Sequence, residues 1–229
     1  LARRGLIQGM VTGPITKWAI QRTRPAFVGQ TEHLAAAFGV RNVAMMFASD
    51  RLRVVVLTRH VPLAEVSKRL TSALVRATAR LVAEALRRQF GIRAPRLAVC
   101  GINPHAGEAG AFGSEERRVL EPAIVRLRRD GLAIDGPFAA DGFCAAPVAH
   151  DAVLCAYHDQ GLIPFKMAAR DAGAQVTLGL PIVRTSPDHG TALDIAGRGI
   201  AHPGAMRYAI RLAARLARSA SAPARPRRR

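Results

Sequence analysis

Residues 151–166 read DAVLCAYHDQGLIPFK. From Ala152 to Tyr157 the run is apolar, short and bounded by polar residues, which predicts a buried strand. It ends at His158, Asp159 and Gln160, so chemistry-bearing side chains begin where the strand stops. On either side the same grammar repeats. Upstream, RLAVC (96–100) predicts a strand that ends on Gly101-Ile102-Asn103-Pro104, and a helix is expected from Ser114-Glu115-Glu116, whose acidic residues suit a positive helix start. Downstream, QVTLGLP (175–181) predicts another strand, and a last helix is expected over about 204–218. Strands alternating with helices define an α/β fold. In open sheets of that kind, ligands commonly bind at the carboxyl ends of strands.

The N-terminal half fits the same class. GLIQGMVTG (5–13) predicts a short strand entering a turn at Gly13-Pro14, with a helix following through Lys17 and Trp18. Residues 29–39 hold a helical stretch with Leu34 and Phe38 one turn apart. NVAMMFAS (42–49) and LRVVVLT (52–58), separated by a short polar link, predict adjacent strands. From Pro62 to Gln89 the spacing of Leu63, Val66, Leu70, Leu74, Leu81 and Leu86 predicts a helical segment.

Composition narrows the function. At 229 residues and 49% hydrophobic, the chain can bury a substantial core. No run approaches the roughly 18 apolar residues of a membrane span, and no secretory leader is evident, so a cytoplasmic protein without membrane partners is expected. The formal charge of +18 comes almost wholly from arginine, because Lys17, Lys68 and Lys166 are the three lysines. The arginines are scattered, and aromatics are only 5%, too few for base-stacking platforms; no specific nucleic-acid function is expected. Cys100, Cys144 and Cys155 lie among small or apolar neighbours and lack zinc-ribbon spacing, so buried reduced thiols are expected. The chain starts at Leu1 and runs quickly into motif-like sequence, which suggests that an N-terminal part is missing.

Three segments carry candidate chemistry. In GINPHAGEAGAFGSEE (101–116), His105 lies among glycines that let a ligand approach the backbone, and its imidazole can reach a metal or an anion. In the 151–166 stretch, Lys166 is a lysine in a chain that otherwise uses arginine. A lysine can serve as general base, general acid or fixed cation, and Asp159 is a further candidate catalytic group. In RTSPDHGTALDIAGRG (184–199), small and polar residues suit a loop wrapped around a nucleotide. No GxGxxG, GxSxG or phosphate-loop pattern is present.

Taken in order, TGPITK, VGQTEHLA, LAVCGINPHAGEAGAFGSEE, DAVLCAYHDQGLIPFK and VTLGLPIVRTSPDHGTALDIAG resemble the 4-hydroxythreonine-4-phosphate dehydrogenase (PdxA) family over about residues 8–215. The resemblance implies a two-domain α/β/α fold like that of isocitrate and isopropylmalate dehydrogenases, with its N-terminal part missing. Residues 1–15 and 178–218 would be the remainder of a cofactor-side domain. Residues 16–177 would form the central substrate, metal and dimerisation domain, and 219–229 a disordered basic tail. It further implies NAD- or NADP-linked oxidation, with decarboxylation, of a phosphorylated or carboxylated hydroxy acid. The substrate is 4-phosphohydroxy-L-threonine in pyridoxal phosphate biosynthesis or, in a paralogue, another hydroxy acid such as a cis-dihydrodiol carboxylate. A catalytically impaired relative of the same fold is the third reading.

By position, the resemblance assigns Lys166, Gln175 and Arg184 to substrate, with Lys166 and Asp159 catalytic. Asp188, His189, Gly190, Thr191 and Asp194 fall on the cofactor loop. A divalent metal (zinc, magnesium, cobalt or nickel) would be held by His105, His158 and Gln30. The family carries histidine where Gln30 stands, and asparagine where Gln175 stands. An amide oxygen suits magnesium better than zinc or nickel, and His33 lies one helical turn further on. The resemblance also implies a homodimer with a shared active site.

Overall fold

The computed structural model describes residues 1–145 and 149–221. Its strands are β1 (Gly9–Val11), β2 (Ala44–Ala48), β3 (Arg53–Thr58), β4 (Arg96–Cys100), β5 (Ala133–Phe138), β6 (Ala152–Tyr157), β7 (Ala174–Leu178) and β8 (Val183–Pro187). The helices are α1 (Lys17–Gln21), α2 (Gln30–Phe38), α3 (Val66–Arg69), α4 (Ser72–Arg88), α5 (Glu121–Arg129), α6 (Ala140–Ala145), α7 (His158–Ala169) and α8 (Gly204–Ser221). Among the described residues the strands form one eight-stranded sheet in the order β1-β8-β7-β2-β3-β6-β4-β5. β3, β6, β4 and β5 run parallel, while β2 is antiparallel to both β3 and β7. β7 spans the expected domain boundary at residues 177 and 178, so the sheet is continuous there.

Period-two alternation sorts the strand residues onto two faces. Met46, Val55, Leu154 and Val176 face one core, which α4, α5 and α8 cover with residues such as Val82, Leu86, Leu127 and Leu212. Met45, Phe47, Val54, Val153 and Cys155 face the other, covered by Leu162, Phe165 and Ala169 of α7. The fold is therefore three-layered, as expected. Full burial of Phe165 contributes about 1.5–3 kcal/mol.

Several local expectations are corrected. The helical segment from 62 to 89 breaks: Leu70 is extended, and Thr71 caps α4 by accepting a hydrogen bond from the Leu74 N–H at 3.2 Å. The extended turn also lets Leu70 bury its side chain. The segment from His158 to Lys166, for which no element was expected, is the body of α7. Arg184 to Pro187 belong to β8, so the expected nucleotide loop begins only at Asp188. Of the three thiols, Cys100 and Cys155 are buried on β4 and β6, but Cys144 is exposed because short α6 leaves it at the surface. α8 continues to Ser221, beyond its expected end at 218, and the rest of the expected tail lies outside the described residues. No described helix is long and apolar enough to cross a membrane.

Candidate active site

The alternation that builds the core also builds a polar row. Register places Phe47 opposite Gln175 and Met45 opposite Thr177; Gln175 in turn lies opposite Ser186, and Thr177 opposite Arg184. All six therefore share one sheet face, that of α7. On the opposite face of the same two strands stand Val176, Leu178, Val183 and Thr185, beneath α8. Four adjacent polar side chains on a sheet face are costly to bury unless they satisfy one another.

They do so around Arg184, which is 3% exposed. Its Nη1 donates to Gln175 Oε1 and, at 3.1 Å, to Thr177 Oγ1. Nη2 donates to Gln30 Oε1 and, at 2.7 Å, to Thr12 Oγ1, which Nε also reaches at 3.2 Å. Ser186 donates to Gln175 Oε1 at 3.0 Å. Gln30 Oε1 takes a further bond from Thr12 Oγ1 at 3.0 Å, and its Nε2 donates to Gly13 O at 3.2 Å. Every partner of the guanidinium in this set is a neutral oxygen. Burial pushes the Arg184 pKa down to about 10, partly offset by the Glu32 carboxylate; at neutral pH it remains a cation.

This cluster is the floor of a cavity of about 230 Å³. Its walls come from the β1–α1 turn (Gly13, Pro14, Lys17), the start of α2 (Gln30, Glu32), His60 after β3, and Asp188, His189 and Gly190 after β8. The pKa of His60 is lowered by burial first, then by Lys17 and His158, which favours its neutral form. Its ring lies 6.0 Å from that of His158, centroid to centroid. Thr12, Lys17, His60 and Ser186 were not singled out by sequence reasoning. The alternation of Gln175 with Thr177 and of Arg184 with Ser186 was the available signal for Ser186.

The remaining candidates lie outside this cavity. His158 opens α7, half-buried, with Nδ1 2.6 Å from Asp159 Oδ1. Asp159 and Lys166 are exposed on α7, as is His105 in the β4–α5 connection. Thr191 is half-exposed and Asp194 exposed, further along the loop that supplies Asp188 to Gly190. His105 stands in a left-handed run, with φ of 52° at His105, 53° at Ala106, 39° at Glu108 and 55° at Ala109. Such backbone is unfavourable for L residues, by roughly 1–2 kcal/mol each, so something must hold it. Glu116, itself buried, accepts from the N–H groups of Ile102 at 2.8 Å and Asn103 at 2.9 Å. A Cβ at Gly107 would meet the Glu116 carboxylate at 2.7 Å, which explains a glycine there. Gln160 ties the loop to β6, accepting from Ala156 N–H and donating to Gly101 O, each at 2.6 Å.

The three expected metal ligands do not fit one ion within this chain. Among the described residues, no three His, Cys, Asp or Glu side chains come together as a metal site. Gln30 turns its oxygen to Arg184 and Thr12, while His105 is exposed on a separate loop. Of the loop expected to carry the cofactor, Asp188, His189 and Gly190 border the cavity, and a Cβ at Gly190 would meet nothing within 4 Å.

The three-layered sheet shares the fold of isocitrate dehydrogenase. The enzyme from Methylococcus capsulatus superposes with a TM-score of 0.52 at 17% identity, over 87% of this chain and 65% of that one, a likeness of fold alone. Within that fold, the family described as pyridoxal phosphate biosynthetic protein PdxA matches residues 1–213, and the chain belongs to it. The 4-hydroxythreonine-4-phosphate dehydrogenase of Erythrobacter litoralis is 54% identical over 93% of this chain, and that of Desulforapulum autotrophicum 52% over 93%. The chain spans 65% and 64% of the lengths of these two relatives. The crystal structure of the Klebsiella pneumoniae enzyme of that name has a TM-score of 0.84 at 37% identity, over 94% of this chain and 66% of that one. A terephthalate 1,2-cis-dihydrodiol dehydrogenase from Burkholderia xenovorans has a TM-score of 0.71 at 34% identity, over 93% of this chain and 68% of that one.

Proposed function

We propose that this protein is an NAD- or NADP-linked dehydrogenase of a hydroxy acid, with 4-hydroxythreonine-4-phosphate as substrate in the route to pyridoxal phosphate. The observation that carries the proposal is the buried Arg184 cation, held by neutral side chains at the floor of a cavity beside the Asp188–Gly190 turn. A buried guanidinium whose charge no carboxylate neutralises attracts phosphate or carboxylate, and the anion would take the place of one of the neutral oxygens that hold its five N–H groups; Lys17 adds a second positive charge in the wall. The cofactor, when bound on the loop from Asp188 through Asp194, supplies the hydride acceptor. His60, neutral and lining the cavity, is placed to take the hydroxyl proton that leaves as the alcohol is oxidised.

Lys166 and Asp159 enter this reading through a second copy of the chain. Ile163 is 59% exposed and Met167 75% exposed on α7, and at helical spacing they share a side with Asp159 and Lys166. An exposed apolar stripe of this kind fits a homodimer in which the charged groups of one α7 approach the cavity of the partner.

The relatives' names support the phosphorylated substrate. One observation favours a second substrate, a cis-dihydrodiol carboxylate: Gln175, a methylene longer than the asparagine usual in the family, lines the floor of the cavity. The test is reduction of NAD+ and of NADP+ against a panel containing both substrate types. Turnover with the phosphorylated hydroxy acid is expected. No turnover with any member, from a folded dimeric protein, overturns the proposal.

A further inference from the structure

Two residues depart from the family pattern in this site, Gln30 and Gln175, and both amide oxygens accept a hydrogen bond from the same side chain, Arg184. They approach it from opposite ends of the guanidinium, Gln175 at Nη1 and Gln30 at Nη2, with Thr177 and Thr12 completing the ring of acceptors. This inference rests on the anion pocket proposed above and concerns how that pocket is held.

We infer that Gln30 is a positioning residue for Arg184 and not a metal ligand, so that the pocket binds its anion without a divalent ion at Gln30. The lone-pair accounting supports this. An amide oxygen has two lone-pair directions, and Gln30 Oε1 already accepts from Thr12 Oγ1 and from Arg184 Nη2. The amide nitrogen is held by Gly13 O, so a flip that presented a different face would lose that bond as well. A metal at Gln30 would have to displace a charge-assisted hydrogen bond, the stronger kind. It would then stand beside the buried guanidinium, where two cations repel with little water to screen them. Glutamine gives Arg184 an acceptor without a negative charge. The cation is fixed but not neutralised, which is what an anion receptor needs.

The discriminating substitution is Gln30→Glu, because the two readings predict opposite results. A carboxylate is a better ligand for a divalent ion than an amide, so a metal-ligand role predicts tighter uptake of magnesium or zinc. A positioning role predicts that the carboxylate pairs with Arg184, takes the place of the incoming anion and lowers the affinity for inorganic phosphate about tenfold or more. Calorimetric titration with phosphate, with and without a chelator, would be combined with metal analysis of the protein after incubation with magnesium or zinc and desalting. Wild type is expected to bind phosphate equally with and without chelator, and Gln30→Glu to bind it weakly and retain no stoichiometric metal. Gln30→Leu, which removes the acceptor, should also weaken phosphate binding by about tenfold. Gln30→Asn with partial recovery would separate loss of the acceptor from loss of fold, and thermal unfolding checks each variant.

The inference is overturned if wild type retains one divalent ion per chain that Gln30→Leu loses. It is overturned equally if chelation abolishes phosphate binding, or if Gln30→Glu gains metal affinity. If wild type binds no phosphate under any condition, the anion pocket itself fails, a result distinct from these.

Discussion

The candidate residues divide into two regions of opposite character. Around Arg184 the polar groups are buried or half-buried and mutually hydrogen-bonded within one chain. On the α7 face and in the 101–116 connection, His105, Asp159 and Lys166 are exposed, and none of them lines the cavity above Arg184. The first region is a polar cluster already assembled. The second is a set of exposed groups on a helix and a strained loop, and in the proposed reading it becomes a site when a second copy meets it. On that reading, chemistry that needs both regions depends on assembly, whereas anion binding does not.

The largest expected effect breaks the first region. Arg184→Met removes the cation, leaves Thr12 Oγ1 without its donor and costs Gln175 and Gln30 one of their two donors each; phosphate affinity and kcat/KM should each fall by about a hundredfold or more. Equilibrium titration and steady-state rates would show it. A variant with near-normal phosphate affinity would mean that Arg184 is not the anion receptor. The next effect breaks the second region alone. Met167→Glu puts a charge on the exposed α7 stripe and should weaken self-association by about tenfold or more. Sedimentation would read the assembly state. Turnover should fall with the dimer while phosphate binding stays at the wild-type value. Loss of both together would show that the two regions are not separable.

A smaller effect tests how α7, which carries part of the second region, packs on the sheet. A Cβ at Gly161 would lie 2.4 Å from Val54 Cγ1 and 3.2 Å from Cys155 Sγ, so α7 can lie this close to the sheet only with glycine there. Gly161→Ala should destabilise the protein by about 1–3 kcal/mol, measured by denaturant unfolding. It should also shift His158, whose ring lies 6.0 Å from that of His60. An unchanged midpoint would mean that α7 is free to move outward without loss.

What the sequence made legible follows the same division. The strands and most long helices were readable because alternation and helical spacing are local. So was the family, through segments that stay contiguous. The convergence of Thr12, Gln30, Gln175 and Arg184 was not readable, because it depends on β1 and β7 flanking β8, a neighbour relation set by tertiary packing. α7 was missed as a helix since Gly161 and Pro164 within DQGLIPFK are poor helix formers, overridden here by burial of Leu162 and Phe165. β8 was taken for loop because its polar residues, Arg184 and Ser186, point into the site and hide the strand pattern.

The smallest expected effect concerns the root of the His105 loop, and it sharpens the contrast by asking how firmly the exposed region is held. Glu115 accepts from Ser67 Oγ at 2.6 Å and from Asn103 Nδ2 at 2.8 Å. These bonds, that of Ser67 foremost, hold its carboxyl down to about 2, against 4.5 for the ordinary group. With the folded value depressed, the unfolded loop binds the proton more readily than the folded one. The stabilisation is therefore complete above about pH 4.5 and is lost as the pH falls toward 2. The group is partly open to solvent, so the effect should be local and modest. Hydrogen exchange of the 103–114 amides, corrected for intrinsic rate, should accelerate through that window relative to the amides of β4 and β6. Glu115→Gln keeps a carbonyl acceptor but cannot titrate, so its loop should exchange with no such pH step. If the wild-type loop shows no step either, Glu115 does not anchor it, and the backbone carrying His105 is held through Glu116 and Gln160 alone.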